Sequence, residues 1–223
     1  MYKVYHKFWS RDEIDDLYRY FDRATMEWYK SHSVNATVDE AKINTGNYEE
    51  RHRIAGAKIL QPKNIPDHFK NKLIKAFKED FSEIGNEWHF DEAWSVQRYK
   101  GDEGGKFEWH MDVLEHFNYN SDKTPEQLFI ANTRPARKLS ISVALNDKSD
   151  YNDGNFTIDA GDGNKTPVDL NKGDMCVFTS ETFHSVEPVT GEGTRYALII
   201  WVVDGEEFIE WQKHYVDNTE IGQ

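Results

Sequence analysis

The sequence predicts an α+β, mainly β, fold in which a helical N-terminal part is followed by a β sandwich or jelly roll. Three observations support this. Apolar residues recur at helical spacing through the first third of the chain; from Glu87 onward the period becomes two; and turn-forming glycines then recur at short, regular intervals. Strands that short and that evenly spaced suit two packed sheets.

In chain order, Ser10 with Glu13 three residues later has the pattern of a capping box, and Ile14, Leu17, Tyr18, Phe21, Trp28 and Tyr29 follow at helical spacing. Residues 31–50 are polar and patternless, which predicts a long loop. A second helix is expected from Pro66, a residue suited to a first helical turn, with Phe69, Leu73, Phe77, Phe81 and Ile84 on one face. Strands are predicted over 88–100, 106–112, 137–146, 154–159, 166–170, 174–180 and 194–203, and a short helix near 205–217. The turn signals between them are Gly101, Gly104-Gly105, Asp153-Gly154, Gly161-Asp162-Gly163, Asn171-Lys172-Gly173-Asp174 and Gly191-Glu192-Gly193. Residues 113–136 form an insertion of a length that is uncommon unless it does something, such as cover a site. Nothing resembles a linker. The chain is therefore expected to be a single domain over 1–223, with helical support over about 1–86, a jelly-roll core over about 87–204 and a C-terminal helix over about 205–217.

Composition narrows the function classes. With 38% hydrophobic and 14% aromatic residues in 223, the chain can bury a sizeable core. The longest apolar stretch, Tyr196 to Val203, is far short of the ~20 residues of a membrane span, and the N-terminus lacks the apolar run of a signal peptide. One cysteine, Cys176, excludes an internal disulfide framework and a multi-cysteine zinc site. Together these predict a cytoplasmic protein that does not engage a membrane. A formal net charge of −13 argues against nucleic acid as partner, the basic cluster Arg134 to Lys138 notwithstanding.

The chemistry sits in Lys106-Phe107-Glu108-Trp109-His110-Met111-Asp112. On a strand, alternation puts Glu108, His110 and Asp112 on one face and Phe107, Trp109 and Met111 on the other. His110 and Asp112 would then lie about 7 Å apart along the strand, near enough for both side chains to converge on one ion. His184, 72 residues later in a turn between two apolar strands, is the candidate third ligand. Two histidines and a carboxylate on one face of an octahedron leave three positions open, the arrangement of non-haem iron(II) oxygenases. Alone, H-x-D is a weak motif that usually makes ordinary hydrogen bonds. Arg195 strengthens it. This residue shares a strand face with Ala197, Ile199 and Trp201, so its guanidinium is expected to point into the sandwich and to require a carboxylate partner. That partner is either an internal acidic side chain or the distal carboxylate of a bound 2-oxoglutarate.

These residues also resemble a known family. Gln97-x-Tyr99, Phe107-x-Trp109-His110-x-Asp112, the run Arg137 to Asn146, Gly173-Asp174 with Phe178-x-Ser180, His184-x-Val186-x-Pro188-Val189 and Gly193-x-Arg195-Tyr196 are similar, in order, to the core of the prolyl 4-hydroxylase-like 2-oxoglutarate/Fe(II) dioxygenases. The resemblance covers roughly residues 88–203. It implies a double-stranded β-helix (a cupin-like jelly roll), His110, Asp112 and His184 as iron ligands, and Arg195 as the contact to the distal carboxylate, with Tyr99 as a second cosubstrate contact. Fe(II), 2-oxoglutarate and O2 are the implied cofactors, with ascorbate as an accessory one. Three departures stand out: Asp153-Gly154 where many members have two glycines, arginine at position 195 where collagen-modifying members have lysine, and one extra residue between His184 and Arg195.

The resemblance implies hydroxylation of an unactivated C–H bond, with a prolyl residue of a peptide as the leading substrate and a free amino acid or other small molecule as the alternative. Glu108 and Trp201 are candidates for shaping the pocket, and Cys176, in an apolar strand, is expected to be core. From a different class, a non-catalytic jelly roll binding a metal or sugar fits the three ligands but leaves Arg195 and Tyr99 unexplained. A zinc protease is disfavoured because H-E-x-x-H is absent.

Overall fold

The computed structural model describes residues 2–23, 28–30, 53–81, 88–90, 92–113, 137–161 and 163–206. The chain opens with strand β1 (Tyr2–Tyr5) and helix α1 (Arg11–Arg23). The expected capping box is formed: the Ser10 backbone N–H donates to Glu13 Oε2 at 2.8 Å, and the Glu13 N–H donates to Ser10 Oγ at 3.1 Å. Helical periodicity had carried the first helix as far as Tyr29, but Tyr29–Lys30 is strand β2, paired antiparallel with Ala57 and Gly56. A ladder partner outweighs spacing that fits a helix only by coincidence. The reading of the first third as helical also missed β1, β3 (Arg53–Ile54) and β4 (Gly56–Leu60). Helix α2 (Asp67–Asp80) begins immediately after Pro66 and buries Phe69, Leu73 and Phe77, with Phe81 closing its C-terminus. The predicted loop at 31–50, Ile84 and most of the 113–136 insertion lie outside the described residues, as does most of the 205–217 helix.

The second half is strand-rich, as the period-two pattern predicts. The expected strand over 88–100 is interrupted, giving β5 (Trp88–His89) and β6 (Trp94–Lys100). There follow β7 (Lys106–His110), β8 (Arg137–Ala144), β9 (Asn152–Asp153), β10 (Phe156–Asp159), β11 (Lys165–Val168) and β12 (Met175–Thr179). The last are β13 (His184–Val186), β14 (Val189–Thr190) and β15 (Thr194–Asp204). An eight-stranded sheet runs β1-β12-β8-β15-β6-β4-β2, with β5 also on β15, and a five-stranded sheet runs β11-β10-β13-β7-β3.

The large sheet is covered on both faces, and its alternation shows how. Leu139, Ile141 and Val143 of β8, Met175 and Val177 of β12, and Leu198, Ile200 and Val202 of β15 form one core with Ile14, Leu17, Phe21 and the apolar face of α2. Each such side chain, fully buried, contributes about 1.5–3 kcal/mol. The opposite set faces the small sheet: Tyr99, Ala144, Cys176 and Phe178 pack with Phe156, Ile158 and Val186. This inner face is unusually polar, since Ser95, Gln97, Ser140, Ser142 and Arg195 are buried there too. The result is a mainly antiparallel β jelly roll with helices against its larger sheet. Polar groups enclosed between sheets normally find hydrogen-bond partners, so this face is where a site is to be sought.

Candidate active site

His110 ends β7 and His184 begins β13, and the two are register partners in the small sheet. His184 therefore lies on a short strand, β13, that the sequence reading did not predict, rather than in the turn it suggested, because pairing with β7 and β10 makes these residues part of the small sheet. Asp112 departs the other way. It lies two residues beyond β7, in a turn whose backbone N–H donates to Ser180 O at 3.0 Å. The three side chains still meet: His110, Asp112 and His184 each offer a donor atom, all within 4.8 Å of one another.

The imidazoles are oriented from behind. His110 Nδ1 donates to the Glu108 carbonyl at 2.8 Å and His184 Nδ1 to the Thr182 carbonyl at 2.9 Å. A carbonyl can only accept, so each ring carries its proton on Nδ1 and turns the Nε2 lone pair inward. These Nε2 atoms lie 3.7 and 3.8 Å from the two Asp112 carboxylate oxygens. Sub-ångström shifts would bring all three donors onto one ion. Burial and then the neighbouring His184 push the His110 pKa well below its ordinary value, so the ring is neutral and fit to be a ligand. Burial alone raises the Asp112 carboxyl, but His184, His110, Arg137 and the Ser140 hydroxyl outweigh it and hold it at about 2. Two imidazoles with inward-facing Nε2 atoms and an ionised carboxylate are the donor set a hard-to-borderline divalent ion requires.

Strict alternation had placed Phe107 on the face away from His110. A bulge overturns this: Val186 pairs with Phe107 while His184 pairs with His110, so two steps along β13 span three along β7. Phe107 thereby stacks on the His110 ring, with centroids 3.5 Å apart, and Arg53 lies over its outer face at 4.3 Å. Phe178 packs 4.7 Å from the His184 ring and Phe156 at 5.8 Å, so aromatic walls shield both imidazoles. The side chain of Glu108 takes no part in this pocket; it pairs with Lys106 at 2.6 Å.

Arg195 is where the sequence predicts it, turned into the sandwich and 4% exposed. No internal carboxylate partners it among the described residues, and its Nη1 is buried without a hydrogen-bond acceptor. Its direct neighbour across the ladder is Tyr99, 2% exposed, whose ring centre lies 5.4 Å from the guanidinium carbon. Arg195 lines a cavity of about 100 Å³ between the sheets, together with Ala144, Lys148, Tyr151, Phe156 and Leu170. A buried guanidinium facing a cavity is an incomplete ion pair, and a carboxylate is the group that completes it bidentately. Cys176 is fully buried and its thiol is pushed up by that burial, in keeping with a core role.

Sequence reasoning missed Arg137 as a site residue. Its guanidinium grips Glu92 through two bonds at 2.5 and 2.7 Å, donates to the Asp112 carbonyl at 2.9 Å and lies 3.9 Å over the Trp201 ring. Ser140, whose hydroxyl lies 2.9 Å from that of Ser180, was missed too. The available signal was the polar inner face of β8, where Ser140 and Ser142 alternate with Leu139, Ile141 and Val143. Trp201, expected near the pocket, packs against Arg137 instead.

Comparison with known proteins agrees with this geometry. Residues 94–203 match the profile of the 2OG-Fe(II) oxygenase superfamily. A PKHD-type hydroxylase from Maricaulis maris (strain MCS10) is 38% identical over 64 residues, 29% of this chain and 28% of the relative. A second, from Stutzerimonas stutzeri (strain A1501), is 31% identical over 86 residues, 39% of this chain and 37% of the relative. The matched stretches thus span about a third of those relatives' lengths. The fold is that of a Pseudomonas putida prolyl-4-hydroxylase, with a TM-score of 0.61 at 17% identity over 91% of this chain and 92% of that one. The matched residues 94–203 carry the histidine pair, the aspartate and the buried arginine, and it is this region that is similar to the 2OG-Fe(II) oxygenase superfamily.

Proposed function

We propose that this chain is a 2-oxoglutarate- and Fe(II)-dependent dioxygenase that hydroxylates an unactivated C–H bond of a prolyl residue in a peptide. His110, Asp112 and His184 would hold the iron, and Arg195 with Tyr99 the distal end of 2-oxoglutarate. The observation that carries this reading is the pairing of two incomplete sites: three inward-facing donor atoms within 4.8 Å, and a buried guanidinium with an unbonded Nη1 on the same interior. A metal-binding jelly roll without catalysis accounts for the first and leaves the second without purpose. The peptidyl substrate rests on likeness to proteins named as PKHD-type and prolyl-4-hydroxylases.

Iron with 2-oxoglutarate and O2 supplies the oxidising power and the transferred oxygen atom, with succinate and CO2 as the other products. The protein's own contribution is positional. Asp112 would bring one negative charge to a dication held together with His110 and His184. The Glu108 and Thr182 carbonyls fix both imidazoles in one tautomer and orientation. Arg195 would hold a dicarboxylate by its far end and so orient it. Phe107, Phe156 and Phe178 exclude water from the metal side.

Anaerobic titration of Fe(II) into protein with 2-oxoglutarate tests the site. A visible charge-transfer absorption is expected in the wild type and not in His110→Ala; its absence from the wild type, or its persistence in the variant, would overturn the assignment. Mass spectrometry of proline-containing peptides and free amino acids, with ascorbate as accessory reductant, tests the substrate. Gain of one oxygen that requires both iron and 2-oxoglutarate is expected on a peptide. A product found only among small molecules would overturn the peptidyl assignment and leave the dioxygenase reading intact.

A further inference from the structure

We propose that Lys148 is a second cation of the cosubstrate pocket, binding the distal carboxylate of 2-oxoglutarate together with Arg195. This rests on the reading that the Arg195 cavity receives that carboxylate. Lys148 and Arg195 line the same cavity of about 100 Å³. Neither is in a salt bridge with a described carboxylate. The Lys148 ammonium is held by neutral groups alone: the Asp153 carbonyl, Asn155 Oδ1 at 2.9 Å and the Tyr151 ring face at 4.8 Å. Asn155 is itself fixed by donating to Glu187 at 2.7 Å, and Asp153 adopts a left-handed backbone conformation (φ 56°). These contacts place a charge without neutralising it.

Two like charges in one enclosed space repel, and a protein that only needed a wall there would have a reason to avoid them. Burial, followed by Arg195, lowers the Lys148 pKa from its ordinary value, as that repulsion requires. Asp169, the acidic residue lining the cavity, is exposed at its rim, and Asp153 and Glu187 also attract the Lys148 ammonium, but none of the three forms a salt bridge with it. The division of labour follows from the side chains: the planar Arg195 fork sets the carboxylate's plane, and the Lys148 point charge adds attraction that tolerates small displacements. Among the sequence features, the residue stands in the turn after β8 and nothing in its spacing marks it.

The test compares 2-oxoglutarate with pyruvate, a 2-oxo acid with the same chelating end and no distal carboxylate. Binding of each to Mn(II)-loaded protein is followed by quenching of tryptophan fluorescence, at low and high salt, in wild type, Lys148→Met, Lys148→Arg and Arg195→Met. We expect Lys148→Met to weaken 2-oxoglutarate by about tenfold, the scale of one charge-assisted hydrogen bond, and to leave pyruvate unchanged. Its 2-oxoglutarate affinity should also depend less on salt, and Lys148→Arg should recover most of the loss. A lysine that merely pinned the 153–155 turn would lower the thermal midpoint in Lys148→Met and move neither the 2-oxoglutarate to pyruvate ratio nor the salt dependence, and that result overturns the proposal. If Arg195→Met loses the preference for 2-oxoglutarate while Lys148→Met keeps it, Lys148 is refuted and the pocket stands. If the wild type shows no preference for 2-oxoglutarate over pyruvate, the reading of the pocket itself falls, and Lys148 with it.

Discussion

Replacing Arg137 with methionine should damage both the fold and the metal site, in amounts that can be separated. The guanidinium holds Glu92 by two bonds, Asp112 by its carbonyl and Trp201 by its ring face, and the Arg137 and Glu92 side chains are each only 11% exposed. Arg137→Met leaves the Glu92 carboxylate nearly enclosed and without its bidentate partner, a loss of about 3 kcal/mol in unfolding free energy. Glu92→Gln alone should cost less, about 1–2 kcal/mol, because Arg137 keeps the Asp112 carbonyl and the indole face. The double variant should be about 2 kcal/mol more stable than the sum of the single losses predicts, since removing both charges leaves no orphan. The carbonyl contact adds a separate effect. Without it the turn carrying Asp112 loses its tie to β8, and divalent-metal affinity should fall by about tenfold in Arg137→Met and much less in Glu92→Gln. Urea unfolding of the metal-free protein reads the first effect, and Mn(II) titration of folded protein reads the second. Strict additivity of the two substitutions would show that the pair is screened by solvent and refute the stability argument. Wild-type metal affinity in Arg137→Met would refute the role assigned to the carbonyl contact.

Glu13→Gln should destabilise the protein by about 1 kcal/mol near neutral pH, because both carboxylate oxygens take the Lys72 ammonium at 2.7 Å and one of them also caps α1. Burial raises the Glu13 carboxyl, yet Lys72 and Ser10 hold it below its ordinary value. Its stabilisation is therefore present above the unfolded pKa and lost as pH falls through the lower folded one, and the gap between wild type and variant in urea unfolding should close in acid. Gly173→Ala should cost more than 2 kcal/mol by thermal or urea unfolding, since φ is +92° and a Cβ would stand 2.2 Å from the Trp9 carbonyl oxygen. Gly104→Ala, at φ +65° with nothing within 4 Å of its Cβ, should cost only about 1 kcal/mol; equal losses at the two positions would show that the Trp9 contact relaxes freely.

The ligand residues were legible because their types are rare and their chemistry is narrow. His110, Asp112 and His184 meet in the structure although two of their local settings were misread: His184 is on a strand and Asp112 is off one. Alternation within a strand failed at Phe107, because the bulge that turns it onto His110 is set by pairing with β13, some 75 residues away, and leaves no mark on β7 itself. Helical spacing failed at Tyr29 for the same reason, since its partner Ala57 lies in another part of the chain. Arg137 was within reach of a pattern argument, as a cation opening a strand with a polar inner face. Lys148 was not, because its meaning comes wholly from Arg195, 47 residues further on.

The site's parts are divided between the two sheets, and this decides how it should respond to change. His110 and His184 are neighbours in the small sheet, so their mutual geometry is fixed by backbone pairing. Arg195 belongs to the large sheet, on β15 beside Tyr99. Asp112 links the two: it follows the last small-sheet residue of β7, yet its backbone is tied through Ser180 and Arg137 to the end of β12 and the start of β8. The span between the metal donors and the buried guanidinium is therefore set by how closely the sheets pack, that is, by Phe156 against Phe178 at 5.7 Å and by Tyr99, Ile158 and Val186 around them. A cosubstrate bound as proposed, between the metal donors and Arg195, would measure that span directly. On that proposal, core residues between the sheets would act on cosubstrate fit as well as on stability, whereas the core under the helices lies on the far side of the large sheet.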